Sequence, residues 1–168
     1  MEMASTGTTC FCDMYFEMDE VARAAAERGI RCCLSRGLTG DDPAKAREGA
    51  DLFRRWHGRD LVTVQLGPHA PYTVSLDAMK DITALAGEIG AGVHFHFLEA
   101  EWEPSFLKDK YGLSPVAYLE EAGLLGSCPV ILAHCVWFPP FEIPGLAGTT
   151  VTVAHNPSSN MKLGSGHA

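Results

Sequence analysis

No apolar run in this chain approaches the roughly 18 residues that a membrane-spanning helix needs. Basic residues are scarce: 13 Lys and Arg stand against 21 Asp and Glu, a net charge of −8. A general nucleic-acid binder would want a basic stripe instead. There is no C-x-x-C pair, no G-x-x-x-x-G-K-[ST] and no G-x-G-x-x-G, so no phosphate loop is read in Gly37 and Gly40. Met1–Thr9 has neither the basic start nor the apolar centre of a signal peptide. Linkers, low-complexity tracts and internal repeats are also missing.

What is present is a chain of 168 residues, 46% hydrophobic and 20% charged. That is too apolar for intrinsic disorder and long enough for one domain with a core. Cys10, Cys12, Cys32, Cys33, Cys128 and Cys135 lie in or beside apolar segments. They read as buried, reduced thiols of a cytoplasmic protein rather than a disulfide framework, and their spacing matches no zinc pattern.

Apolar, β-prone runs alternate with helical patterns. The runs are Thr8–Phe16, Ile30–Ser35, Leu61–Leu66, Gly92–Phe97, Val130–Val136 and Thr149–Ala154. One helix covers Met18–Arg28 and stops at Gly29; a second opens at Asp42-Pro43, presents Leu52, Phe53 and Trp56, and ends at Gly58. Ser75 caps a third that closes at Gly90, and Ser114-Pro115 starts a fourth ending at Gly123. Repeated strand and helix mean βαβ units and a parallel sheet, and near-continuous apolar strands fit a sheet buried on both faces. Pro139, Pro140 and Pro144 leave room for little more than a helical turn in Trp137–Gly148.

The polar residues suited to chemistry gather at strand ends: Asp13, Arg36, His69, His96, Glu99, His134 and His155. In a parallel barrel those ends converge on one rim, and in an open doubly wound sheet on a switch point. His94 and His96, two apart on a strand, point the same way and could chelate a metal, with Glu99 within reach of its water. Equally, both could be core histidines with their nitrogens satisfied by backbone. His134 is flanked by apolar residues, as a core histidine would be. His69 lies in a Pro-flanked loop that could aim it at a substrate, or it is an ordinary surface histidine. Arg36 could bind a substrate group, though a surface salt bridge is the simpler reading. Asp13 could orient a histidine, but capping the following helix is simpler.

Taken in order, six stretches resemble the amidohydrolase superfamily, and within it the 5-methylthioadenosine/S-adenosylhomocysteine deaminase branch. They are Gly7–Phe16, Ser35–Leu38, Gly67–Thr73, His94–Glu99, Ala133–Val136 and the long Ala154–Leu163 stretch, His-Asn-Pro-Ser-Ser-Asn-Met-Lys at its heart. The resemblance implies an α/β fold, an incomplete TIM-like (β/α) barrel of about six of eight βα units. Residues 1–168 would form one partial barrel domain with the first and last strands absent. It implies that His96 is a metal ligand, that Glu99 is the proton shuttle that also contacts the purine, and that His134 lies beside the metal's water. His69 would contact the substrate and Arg36 the substrate's sulfur-linked tail. The second tail-binding arginine has only Lys45 or Arg47 as candidates. The cofactor would be one divalent metal, zinc first, with iron or manganese as alternatives.

The implied reaction is hydrolytic deamination of an adenosine-type purine, methylthioadenosine or adenosylhomocysteine, by metal-bound hydroxide. The partner is thus a small-molecule purine, not nucleic acid or membrane. Two rivals remain: a guanine or triazine hydrolase of the same superfamily, and a catalytically inactive remnant, either a truncated product or a piece that needs a partner chain to complete the barrel. A first-strand His-x-His pair and an eighth-strand Asp, expected as further ligands, have no counterpart, so the chain alone is expected to be inactive.

Overall fold

The computed structural model describes residues 2–126 and 128–168. A short helix α1 (Glu2–Ser5) precedes β1 (Cys10–Tyr15), α2 (Met18–Arg28), β2 (Arg31–Leu38), α3 (Pro43–Trp56) and β3 (Val62–Pro68). Then come α4 (Leu76–Ile89), β4 (Gly92–Phe97), α5 (Glu103–Tyr111), α6 (Pro115–Glu121) and β5 (Val130–His134). A 3-10 segment (Pro140–Leu146), β6 (Val151–Ala154) and α7 (Pro157–Leu163) complete the chain.

The six strands form one parallel sheet in the order β1-β2-β3-β4-β5-β6. This consecutive order decides between the two parallel architectures. A doubly wound sheet reverses its order at a switch point, whereas a (β/α) barrel adds each strand beside the last. The chain is an incomplete TIM-like barrel, with β1 and β6 each paired on one side only.

The local signals behave as their chemistry predicts. Asp42 Oδ1 accepts from the Ala44 amide at 2.9 Å and Ser75 Oγ from the Ala78 amide at 3.2 Å, capping α3 and α4. Gly29 and Gly90 close α2 and α4 in the left-handed conformation, at φ 66° and 74°. The helix opened by Asp42 stops at Trp56 rather than at Gly58, and His57 is its C-cap. Three helices were not expected, α1, α5 and α7; α5 and α7 each have a proline in the first turn, behind the Glu103 and Asn156 positions. The proline-rich stretch does make only a 3-10 segment.

Strand alternation divides the two faces of the sheet. Val93, Phe95 and Phe97 pack with Leu66, Met79, Leu107, Tyr118 and Leu132 in the larger core beneath the helices. Leu34, Leu52, Val62 and Val64 form a second cluster with Met18 and Ala22 under α2 and α3. His94 and His96 point to the concave side, where they line a common hollow. Burial on both faces holds for central β4, where only His96 is less than buried. It fails for β1 and β6, which lack a neighbour on one side. For the same reason the expectation of buried thiols is corrected. All six cysteines are free, but Cys10 and Cys12 on edge strand β1 are exposed and Cys33 is half-buried.

Asp19 clasps α2 to α3. It accepts from Arg55 at 3.0 and 2.8 Å and from the Trp56 indole at 2.7 Å. The Arg55 guanidinium holds its carboxyl below the usual carboxylate range, against a smaller opposing effect of burial. The depressed folded-state pKa means that this stability is present above the unfolded value of about 3.9 and lost as pH falls below it. Asp19→Asn should therefore cost about 1 kcal/mol at pH 7, a modest figure because the pair is solvent-exposed. Urea unfolding of both proteins should show the difference vanish on acidification through the carboxylate range.

Candidate active site

The C-terminal ends of β3, β4 and β5 carry the convergent side chains. His69 follows β3, His96 lies in β4, Glu99 follows β4 and His134 ends β5. The His69 and His96 rings have centroids 4.9 Å apart, and those of His96 and His134 are 5.4 Å apart. Glu99 Oε1 lies 3.5 Å from His134 Nδ1. The backbone is strained where these residues sit. Leu98, His134 and Cys135 have φ values of 52°, 78° and 50°, a region that costs a side-chain-bearing residue about 1–3 kcal/mol. Cross-loop bonds hold it there: the Cys135 amide donates to Phe97 at 2.9 Å and the Trp137 amide to Leu98 at 3.0 Å.

Hydrogen bonds assign the free nitrogen of two rings. His96 Nδ1 is 3.0 Å from the His69 carbonyl, which can only accept, so Nδ1 carries the proton and Nε2 keeps its lone pair. The same carbonyl accepts the His96 amide at 2.9 Å, which aims the ring as well as fixing its tautomer. His134 Nδ1 likewise donates to Asn160 Oδ1 at 2.7 Å, leaving its Nε2 free. Burial lowers the pKa of His96, opposed by the bond to His69, and favours the neutral form that a ligand needs. His69 is also lowered by burial, against the pull of Glu99.

His94 is pushed down to about 4, chiefly by burial, with the charges of His96 and His134 adding to it. Its Nδ1 lies 3.3 Å from Ser35 Oγ. His94 and His96 thus share a face, but their rings differ in company: His94 is paired within the sheet, while His96 opens on the rim.

Two hollows meet at His96. One, of about 330 Å³, is lined by Met14, Tyr15, Phe16, Gly37, Thr39 and His69 as well. The other, of about 190 Å³, is lined by Asp13, His94 and Asn156 among others. Asp13 does not cap α2, whose N-cap is Glu17 with no side-chain bond. It stands in β1, its pKa raised by burial. Arg36 is placed apart from the histidines, paired with Glu48 at 2.7 Å and lying 5.5 Å above the Phe16 ring. Lys45 and Arg47 both lie in α3, and Lys45 Nζ donates to the Thr39 carbonyl. His155, after β6, is exposed and its ring centroid is 6.4 Å from that of His167.

The amidohydrolase family model matches residues 1–168. The chain belongs to the amidohydrolase family. It is 46% identical over 173 aligned residues to the 5'-deoxyadenosine deaminase of Methanothermobacter thermautotrophicus, covering 99% of this chain and 40% of that protein. It is 47% identical to the 5-methylthioadenosine/S-adenosylhomocysteine deaminase of Desulforudis audaxviator, covering 100% of this chain and 40% of that one. A zinc-bound crystal structure of an adenosine deaminase from Xanthomonas campestris superposes with a TM-score of 0.90 at 30% identity, over 99% of this chain and 39% of its own. This amidohydrolase chain therefore spans about 40% of the length of the relatives it matches.

Within the amidohydrolase site, two residues had no sequence reading of their own. Asn160 is buried at 1% exposure and bonds His134, while its Nδ2 has no hydrogen-bond partner among the described residues. Glu103 is buried at 2% and accepts backbone amides beside Glu99. Asn160 does lie inside the Ala154–Leu163 motif, but nothing there marks it off from its polar neighbours. Glu103 follows Glu99 and Glu101 as one more acid in a polar stretch. As to a metal, the free Nε2 atoms of His96 and His134 suit one. Among the described residues no group of three His, Cys, Asp or Glu is arranged to hold it. Asn160→Leu removes the 2.7 Å acceptor of the buried His134 N–H at near-equal size and leaves it only the longer approach of Glu99; it should cost about 1–3 kcal/mol, read as a lowered urea midpoint with unchanged slope.

Proposed function

We propose that this chain is the substrate-and-proton-handling part of a hydrolytic deaminase acting on an adenosine-type purine nucleoside such as methylthioadenosine or adenosylhomocysteine. The observation that carries the reading is the convergence of His69, His96, Glu99 and His134 on one rim, with His96 Nε2 left free by its bond to the His69 carbonyl. The deaminase names of relatives 46–47% identical support it.

His96 would hold a divalent metal, zinc first, and His134 would stand beside the water. Such an ion supplies Lewis-acid activation of water near neutral pH. The rest falls to this chain. Glu99 takes a proton from the water that adds to C6 of the adenine ring and delivers it to the adjacent ring nitrogen. The C6–N bond then breaks with its electron pair on nitrogen, and Glu99 passes the second proton so that ammonia departs. His134 hydrogen-bonds the attacking oxygen. His69, held by Thr73 Oγ1 at 3.0 Å from its Nδ1, presents its other edge to the purine. Arg36 reads the 5' tail. Its partner Glu48 is more than half exposed, so that ion pair is worth about 1 kcal/mol at most and yields readily to a substrate carboxylate.

The test sets residues 1–168 into the Methanothermobacter deaminase in place of the matching segment. Glu99→Gln should lower the rate of adenine-to-hypoxanthine conversion by about 10²–10⁴-fold and leave bound zinc nearly intact. His96→Ala should lose metal and turnover together, because it removes a ligand. Equal metal loss in both variants would make Glu99 a ligand and refute its assigned role. Elemental analysis of the 168-residue chain alone should find weak zinc binding, and an ammonia-release assay no appreciable turnover.

A further inference from the structure

We infer that Glu103 is a positioning residue that holds Glu99 in its proton-transferring place, an inference resting on the role of Glu99 proposed above. Glu103 begins α5, and its side chain is 2% exposed. Among the described residues no cation pairs with it; the ion pairs lie elsewhere. A buried carboxylate without a counter-ion is costly unless hydrogen-bond donors surround it.

Here the donors are the amides on either side of Glu99. The Leu98 amide donates to Glu103 Oε2 at 2.8 Å and the Ala100 amide to Oε1 at 2.9 Å. One carboxylate thus grips both neighbours of the residue that moves the proton. Successive amides in a left-handed turn form a natural anion cradle, and Leu98 at φ 52° supplies that turn. From the other side, the Trp137 amide donates to the Leu98 carbonyl at 3.0 Å. The loop is therefore clamped between Glu103 and the segment after β5. Burial raises the pKa of Glu103, and the amides of Ala100, Leu98 and Glu99 pull it back. The Glu99 carboxylate raises it further, Tyr72 and Cys135 also face its charge, and none of the three can neutralise it.

Glu103 lines neither of the two hollows that meet at His96, so its effect on turnover must pass through Glu99. Glu103→Gln keeps the size, but its single oxygen satisfies one amide and its NH2 group opposes the other. In the chimeric full-length deaminase, kcat should fall about 10- to 100-fold, the scale of a small misplacement of a reacting group. KM and bound zinc should stay within about twofold. The double variant Glu99→Gln/Glu103→Gln should be no slower than Glu99→Gln alone, because two residues acting on one step are not additive. Multiplying losses, or zinc lost in step with rate, would overturn the inference and leave the Glu99 reading standing. If Glu99→Gln alone keeps the parent rate, the proton role falls, and this inference with it. Where Glu103→Gln does not fold, Glu103→Asp keeps the charge with a shorter reach. A smaller loss with the same double-variant pattern then supports the assignment, and multiplying losses again overturn it. In the 168-residue chain itself, hydrogen exchange should find the Leu98 and Ala100 amides protected and Glu103→Gln should release both; unprotected amides in the parent would refute the clamp.

Discussion

Side chains of a strand alternate between the faces of its sheet, and central strand β4 makes the rest of this structure depend on that rule. Its odd-numbered residues, Val93, Phe95 and Phe97, are fully buried beneath the helices. Its even-numbered residues, His94 and His96, share the concave side. A slip of one residue would bring both imidazoles into an apolar core and turn two phenylalanines into the site. The hydrophobic burial that stabilises the sheet therefore also sets the register of the chemistry.

Polar precision is added by main chain rather than by charge. The His69 carbonyl accepts both the amide and the Nδ1–H of His96, so the loop after β3 fixes the ring at the end of β4. Two amides of the β4 loop settle the buried charge of Glu103. Asn160, from the helix after β6, holds His134 at the end of β5. His96 and His134 are thus each oriented by a neighbouring βα unit, Glu99 and His69 from within their own. Consecutive strand order is what makes such hand-to-hand support possible, because every loop meets the next one on the same rim. Left-handed Leu98, His134 and Cys135 are the strained points in this arrangement, held by the bonds that cross between loops.

Much of this is legible in the residues themselves. Six apolar runs correspond to the six strands, and the caps Asp42, Ser75 and Ser114 with the stops Gly29 and Gly90 act through local backbone chemistry. The catalytic-type residues follow the apolar runs in order, which is why their gathering at strand ends can be read from the chain alone. Helices α5 and α7 are harder, since α5 has little amphipathic contrast and α7 spans only Pro157–Leu163.

The sequence by itself determined the period-two strands, the capped helices between them and the residue types available for proton transfer and metal ligation, because these depend on neighbours a few positions away. Only the tertiary structure decided that the Cys10 and Cys12 thiols are exposed at an edge and that Asp13 does not cap α2. It also decided which nitrogen of His96 and His134 is free, that Arg36 rests on Glu48, and that Glu103 is a buried clamp rather than a surface acid. The reason is common to all of these. Burial, tautomer and ion pairing are set by groups that approach across strands and loops, as Asn160 reaches His134 over 26 positions of chain, and no local pattern records who those neighbours are.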